Sequence, residues 1–206
     1  MYEVFIANAK TTPFCNRDFA EWHGGISHYG FWAVLVFDGS WLELLERARS
    51  HVRQFIHPGY RRAPHITIAA SGLLSDGHFT ARLLESQVAA LKDAKISPFS
   101  LEAGGLASFA SAPYITVEDP NGSLGQIRSI LAMISAEDSP AAYMPHITLG
   151  LYHDAFDTLQ VAKHLRDFRA VETRPFAVAE LTFCAYETRN IQGPLTVLKR
   201  VALSGS

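Results

Sequence analysis

Cysteine is scarce in this chain: Cys15 and Cys184 are the only two in 206 residues. Neither stands in a Cys-x-x-Cys or Cys/His ligand spacing, so both are expected to be reduced and structural. Long apolar runs are also missing. The densest, Phe31 to Phe37, is far short of the roughly 20 residues that cross a bilayer. The opening MYEVFIANAK has neither the basic start nor the long apolar stretch of a signal peptide, and a soluble cytoplasmic protein with no membrane partner is expected. An excess of one charge is lacking too, with a formal net charge of −2. Tight binding to long nucleic acids needs many Lys/Arg–phosphate contacts and is not expected. A nucleotide or an RNA end, which a few donors suffice to hold, stays open. Gly104-Gly105 and Gly122-Ser-Leu-Gly lack the Lys-Ser/Thr ending of a phosphate-binding P-loop and read as turn glycines. Linkers, low-complexity tracts and solenoid repeats are not seen.

What is present is the composition of a compact globular protein, 48% hydrophobic and 18% charged, long enough to bury a substantial core. The reading is one domain over 1–206 made of two lobes, opened by an irregular leader or lid over 1–30, packed on the body, in which Tyr2 to Ile6 suggests a short strand. Phe31 to Phe37 reads as a buried strand. Trp41, Leu44, Leu45, Ala48, Val52, Phe55 and Ile56 recur at helical spacing. A strand His65 to Ala70 follows, then a helix from about Phe79 to Lys92 and strands near Phe99 to Leu106 and Pro113 to Glu118. Asp119-Pro-Asn-Gly supplies a turn. A helix spans Leu124 to Ile134, a strand His146 to Tyr152, and a helix Phe156 to Phe168. Strands at about Ala177 to Glu187 and Leu195 to Leu203 close the chain. The order strand, helix, strand, helix, strand occurs twice. An α+β, bilobal, duplicated fold is therefore expected, with two mainly antiparallel sheets facing a central cleft and helices outside.

One tetrapeptide recurs at the same place in each half: Pro-His-Ile-Thr, at Pro64 to Thr67 and at Pro145 to Thr148. Side chains alternate along a strand, so His65 and Thr67 share one face while Ile66 and Ile68 anchor the other. His146 and Thr148 stand likewise against Ile147 and Leu149. The polar faces continue as Ala69 and Ser71, and as Gly150 and Tyr152, and the small residues leave room for a ligand. An imidazole titrates near pH 6.5, so one copy can take a proton from an attacking water or hydroxyl while the other gives one to a leaving oxygen. The two threonines can donate hydrogen bonds to non-bridging phosphate oxygens. No carboxylate or cysteine stands at ligand spacing beside either motif, so neither a metal nor another cofactor is expected.

Paired His-apolar-Thr-apolar motifs in two similar halves resemble the 2H phosphoesterase superfamily, which includes 2′-5′ RNA ligase-like proteins and cyclic nucleotide phosphodiesterases. The likeness runs in element order from about Phe31 to Leu203, and its specific content is the two motifs. It implies a bilobal fold with a central cleft and metal-independent cleavage of 2′,3′-cyclic phosphates or related diesters. His65, Thr67, His146 and Thr148 are the residues it marks as catalytic.

Arg62 and Tyr143 each lie three residues before their histidine. They are candidate substrate contacts, Arg62 to phosphate and Tyr143 to phosphate or a base, against the alternative of an exposed arginine and a packed tyrosine. Arg61 is a weaker candidate, Tyr152 is a candidate on the extended polar face, and Phe109 is a base-stacking candidate or a core residue. His23 and His28 reach the cleft only if the leader folds over it; His51 and His57 are expected to face solvent or cap a helix. The leading function is a 2′,3′-cyclic phosphodiesterase acting, as a monomer, on a nucleotide or RNA end. ADP-ribose cyclic phosphate opening, 2′-5′ oligoadenylate cleavage, 2′-5′ ligation and a non-catalytic nucleotide or RNA-end binding module are the alternatives.

Overall fold

The computed structural model describes residues 2–15, 17–135, 143–170 and 172–205. In chain order the elements are α1 (Glu3–Ile6), α2 (Ala20–His23), β1 (His28–Leu35), α3 (Gly39–Val52), β2 (His65–Leu73), α4 (Ala81–Asp93), β3 (Phe99–Ser108), β4 (Pro113–Glu118), α5 (Ser123–Ala132), β5 (His146–Thr148), α6 (Thr158–Arg166), β6 (Phe176–Val178), β7 (Glu180–Glu187) and β8 (Thr196–Ala202).

Local chemistry sets the helix starts. Asp38 caps α3 by accepting from the amides of Ser40 and Trp41; Thr80 accepts from Leu83 at the start of α4 and Asp157 from Gln160 at the start of α6. Each satisfies amides that have no partner inside the helix. Asp119 does more than end a strand, because its Oδ2 accepts from the Leu124 amide at 2.7 Å and steers the chain into α5. The apolar stripe of α3, Trp41, Leu44, Leu45, Ala48 and Val52, is buried as its spacing requires.

Two four-stranded sheets result, ordered β2-β1-β7-β8 and β5-β4-β3-β6, and the pairings are antiparallel. The duplication is visible in these orders: each motif strand is the edge strand beside the strand that precedes its connecting helix. The halves also exchange packing, with α3 lying against β4 of the second sheet and α5 against β2 of the first. Trp32, Val34, Ile66, Ile68, Leu181 and Phe183 join one continuous core with the apolar faces of the helices. Gln87, buried in α4, accepts from the Trp32 indole at 2.8 Å and so satisfies a polar group inside that core.

Three expectations need correction. Tyr2 to Ile6 is no strand: α1 buries Phe5, and the Tyr2 hydroxyl donates to the Leu106 carbonyl at 2.6 Å. The leader packs on the body as expected, since Thr11 donates through its amide to Phe156 O and through its hydroxyl to Asp154 O. The strand expected over Ala177 to Glu187 is two strands in different sheets, β6 beside β3 and β7 beside β1. The second motif strand stops at Thr148 instead of reaching Tyr152. Beyond it Gly150 packs so tightly on Ile56 that a Cβ there would lie 2.8 Å from Ile56 Cδ1.

Candidate active site

As edge strands of separate sheets, β2 and β5 lie alongside each other, which brings His65 and His146 to one cleft. Each motif is held by the same local bonds. Proline has no amide to give a ladder, but its carbonyl still accepts: Val36 donates to Pro64 O at 2.9 Å and Val117 to Pro145 O at 3.0 Å. Each imidazole is then tethered to the carbonyl two residues earlier, His65 Nδ1 to Ala63 O and His146 Nδ1 to Met144 O, both at 2.8 Å. A carbonyl only accepts, so Nδ1 carries the proton in both rings, and in the neutral form Nε2 is left as the basic nitrogen. The two rings are thereby set in the same tautomer by the same device.

Their surroundings differ. His65 is 8% exposed and sits on Phe31, with ring centroids 5.3 Å apart. His146 is half-buried between Phe109 at 4.9 Å and Tyr114 at 5.1 Å. Burial pushes His65 down to about 4, opposed by its bond to Ala63 and assisted by the positive charge of Arg62 and by His146. His146 is also lowered by burial, with its bond to Met144 acting the other way. Both imidazoles therefore favour the neutral form, His65 strongly so.

Arg62 lies with its guanidinium 3.9 Å from the centre of the Tyr186 ring. Its Nε and Nη2 are buried and have no hydrogen-bond partner among the described residues. Guanidinium N–H groups withheld from water and left unpaired are costly, and an anion beside His65 would satisfy them. Thr67 and Thr148 are half-buried on the same strands as the histidines, paired in register with Ala33 and Tyr114.

Tyr143 packs at the entrance of β5, as the alternative reading of it expects. Its hydroxyl donates to the Thr67 carbonyl at 2.9 Å, which ties the entrance of β5 to the backbone of β2. The Arg128 guanidinium lies 4.2 Å from the centre of its ring and donates to the Ile68 carbonyl. Tyr143 thus holds the two motif strands together. Tyr152 is not at the site: it is fully buried, its hydroxyl is 2.6 Å from Ser108 Oγ, and burial pushes it up to about 12. The polar-face extension failed because the chain leaves the strand after Thr148. Ser71, on the other extension, has a buried hydroxyl with no partner among the described residues and is itself the residue skipped where the β1–β2 register shifts between Gly30 and Phe31.

The remaining histidines have other partners. His23 is buried against Asp18. His51 and His164 stack at 4.1 Å, and each ring bonds the other's backbone carbonyl. His57 bonds the Phe14 carbonyl. His51 and His57 are therefore tertiary contacts rather than solvent-facing caps. Sequence reasoning missed Phe31 and Tyr114 as walls of the cleft, although each lies on a strand paired with a motif strand. Among the described residues no group of three or more His, Cys, Asp and Glu side chains gathers at metal-ligand spacing, and no helix is long and apolar enough to cross a membrane.

Comparison with known proteins gives three findings. The sequence profile of the 2′-5′ RNA ligase superfamily matches residues 36–190. A search of curated proteins returned no match. Among solved structures, Escherichia coli LigT complexed with 3′-AMP is similar, at 21% identity over 86% of this chain and 99% of that one, with a TM-score of 0.54. The Thermus thermophilus protein TT0787 is similar at 18% identity over 86% and 98%, also with a TM-score of 0.54. A structure described as a phosphoesterase has 22% identity over 86% and 99%, with a TM-score of 0.51. At these identities the structural likenesses establish the fold.

Proposed function

The chain belongs to the 2′-5′ RNA ligase superfamily, and from that premise we propose that it is a metal-independent phosphodiesterase opening a 2′,3′-cyclic phosphate on a nucleotide or RNA end. The observation that carries the reading is the matched pair of tethers, Nδ1 of His65 on Ala63 O and Nδ1 of His146 on Met144 O, each at 2.8 Å. They leave Nε2 of each ring, on strands that lie side by side, as the nitrogen available to take a proton or give one.

In this scheme the neutral Nε2 of one histidine takes a proton from water as the water oxygen bonds to phosphorus. The bond from phosphorus to one ribose oxygen breaks, and the other histidine's Nε2–H gives that oxygen a proton. His65 suits the base, because burial keeps it neutral down to about pH 4. His146, the less buried of the two, suits the acid: a bound phosphate beside it favours the charged form and raises its pKa. With the roles assigned this way, the working protonation state is the one populated between the two pKa values. Thr67, Thr148 and the unpaired N–H groups of Arg62 supply donors for non-bridging oxygens, where charge gathers.

The test is a panel in chelating buffer: cyclic mononucleotides, ADP-ribose cyclic phosphate, 2′-5′ oligoadenylate and RNA ending in a cyclic phosphate. Turnover of a cyclic phosphate, lowered roughly 10²–10⁴-fold in His65→Ala and in His146→Ala, is the expected result. Binding without turnover of any member would make the protein a nucleotide or RNA-end binding module. Activity that disappears in chelator and returns with a divalent ion would end the two-histidine scheme.

A further inference from the structure

The face of the first sheet that carries His65 is lined with aromatic rings in an unbroken series. From His65 the rings step to Phe31 at 5.3 Å, from Phe31 to Tyr186 at 6.1 Å, from Tyr186 to Tyr29 at 5.4 Å and from Tyr29 to Trp22 at 5.6 Å. The β1–β7 register accounts for the middle of it, since Tyr29 pairs directly with Tyr186 and cross-strand partners share a face. The series passes from buried to open: Phe31 is 3% exposed, Tyr29 and Tyr186 are half-buried, and Trp22 is 41% exposed.

Trp22 comes from the leader, and the leader is built to hold it. His23, the next residue, is 1% exposed; its Nε2 lies 2.6 Å from Asp18 Oδ1 and its Nδ1 accepts from the Gly25 amide at 3.0 Å. The segment is fixed to the end of β7 as well, where Thr188 donates through its amide to Ser27 O and through its hydroxyl to Ile26 O. A buried histidine with both ring nitrogens engaged is a costly way to secure a surface turn. Here it fixes the neighbouring indole against Tyr29. Cations border the series: Arg62 lies over Tyr186, and Arg189, which is exposed, lies 3.7 Å from Asp18 beside the turn that carries Trp22.

We propose that Trp22, with Tyr29 and Tyr186, forms a distal base-stacking subsite, so that the preferred substrate is a short single-stranded RNA end rather than a mononucleotide. The inference rests on the phosphodiesterase reading for the position of the reacting phosphate. One nucleotide placed at His65 occupies only the inner rings. The outer ones become useful when at least one further base follows, and bases stack on aromatic side chains without regard to sequence. Phosphates between those bases would meet the bordering arginines. The acidic Asp18 and Glu21 beside Trp22 are already paired, with His23 and Arg17 respectively.

Two measurements on the full chain test this. The first compares kcat/KM for a uridine 2′,3′-cyclic phosphate and for a trinucleotide RNA ending in the same group. Wild type should favour the trinucleotide, and Trp22→Ala should lower the trinucleotide-to-mononucleotide ratio by roughly 5- to 150-fold, the worth of one stacked base. Trp22→Phe, which keeps a ring, should restore most of it. The second needs no turnover: Trp32 and Trp41 are fully buried, so trinucleotide carrying a terminal 3′-phosphate should quench fluorescence from Trp22, and Trp22→Phe should lose that signal. An unchanged ratio in Trp22→Ala, or no quenching on binding, overturns the subsite. Quenching by the trinucleotide with neither substrate turned over would leave the subsite standing and remove the phosphodiesterase reading. Neither quenching nor turnover would remove both.

Discussion

At the scale of single residues, His65 is an imidazole that folding takes almost wholly out of water. A buried imidazole held near pH 4 resists protonation that the unfolded chain, titrating near 6.5, accepts freely. Between those values the unfolded state binds more protons, so folded stability falls as pH drops from about 6.5 to 4 and is fully present above 6.5. The loss from this one group is on the order of 3 kcal/mol. Urea denaturation at pH 7 and pH 4.5 should show it, and His65→Gln should have a clearly shallower pH dependence; equal slopes would mean that another group sets the acid sensitivity. Activity is a separate matter. His65→Ala and His146→Ala should each lower kcat by roughly 10²–10⁴-fold, the usual worth of a positioned acid or base, with the far-ultraviolet circular dichroism at pH 7 preserved. Wild-type turnover in either variant would refute the shared site. The four motif residues were legible because two identical tetrapeptides carry them. The tautomer was not, since it depends on the carbonyls of Ala63 and Met144 turning toward the rings.

At the scale of elements, periodicity located the long helices and most strands, because burial on one face imposes a repeat that can be read directly. It misplaced what periodicity does not govern. Phe176 and Val178 are buried, then Leu181 and Phe183, so the alternation skips a beat at Ala179 and Glu180. That skip marks the passage from one sheet to the other, and it was written in the sequence. The short β5 was not. Leu149 and Gly150 continue the alternation in letters, yet both are buried, and Ile56 crosses close enough to exclude a side chain at Gly150. Gly150→Val should therefore force Ile56 aside and cost about 1–3 kcal/mol through overpacking, read as a lowered thermal midpoint with kcat retained below the transition. No loss of stability would show that Ile56 yields freely and that something else ends the strand. The helix α1 went unread because four residues are too few to show a period, and packing of Phe5 rather than propensity makes it.

At the scale of the whole molecule, the duplication supplies two nearly identical motifs and the departures from symmetry set them in different surroundings. The halves share prolines, tethers and edge positions. They differ in that Arg62 leaves unpaired N–H groups beside His65, while its counterpart Tyr143 uses its hydroxyl to join the lobes through Thr67. The pH–rate profile is the property in which both lobes appear together. For kcat/KM, which reports the free enzyme, the rate should rise as the base loses its proton near pH 4 and fall as His146 loses its own. Burial holds that second pKa below 6.5, so the bell should lie on the acidic side of neutrality. In kcat, which reports the complex, a bound phosphate favours both charged imidazoles and the whole bell should move upward. The two limbs are macroscopic values belonging to the pair. His146→Ala, which removes the acid, should abolish the falling limb in whatever activity survives, whereas His65→Ala should abolish the rising one. If His146→Ala instead lost the rising limb, the roles of the two lobes would be reversed, with the second supplying the base. A profile that kept both limbs in each variant would mean that neither lobe's histidine carries the proton, and that the cleft works by some other pair of groups.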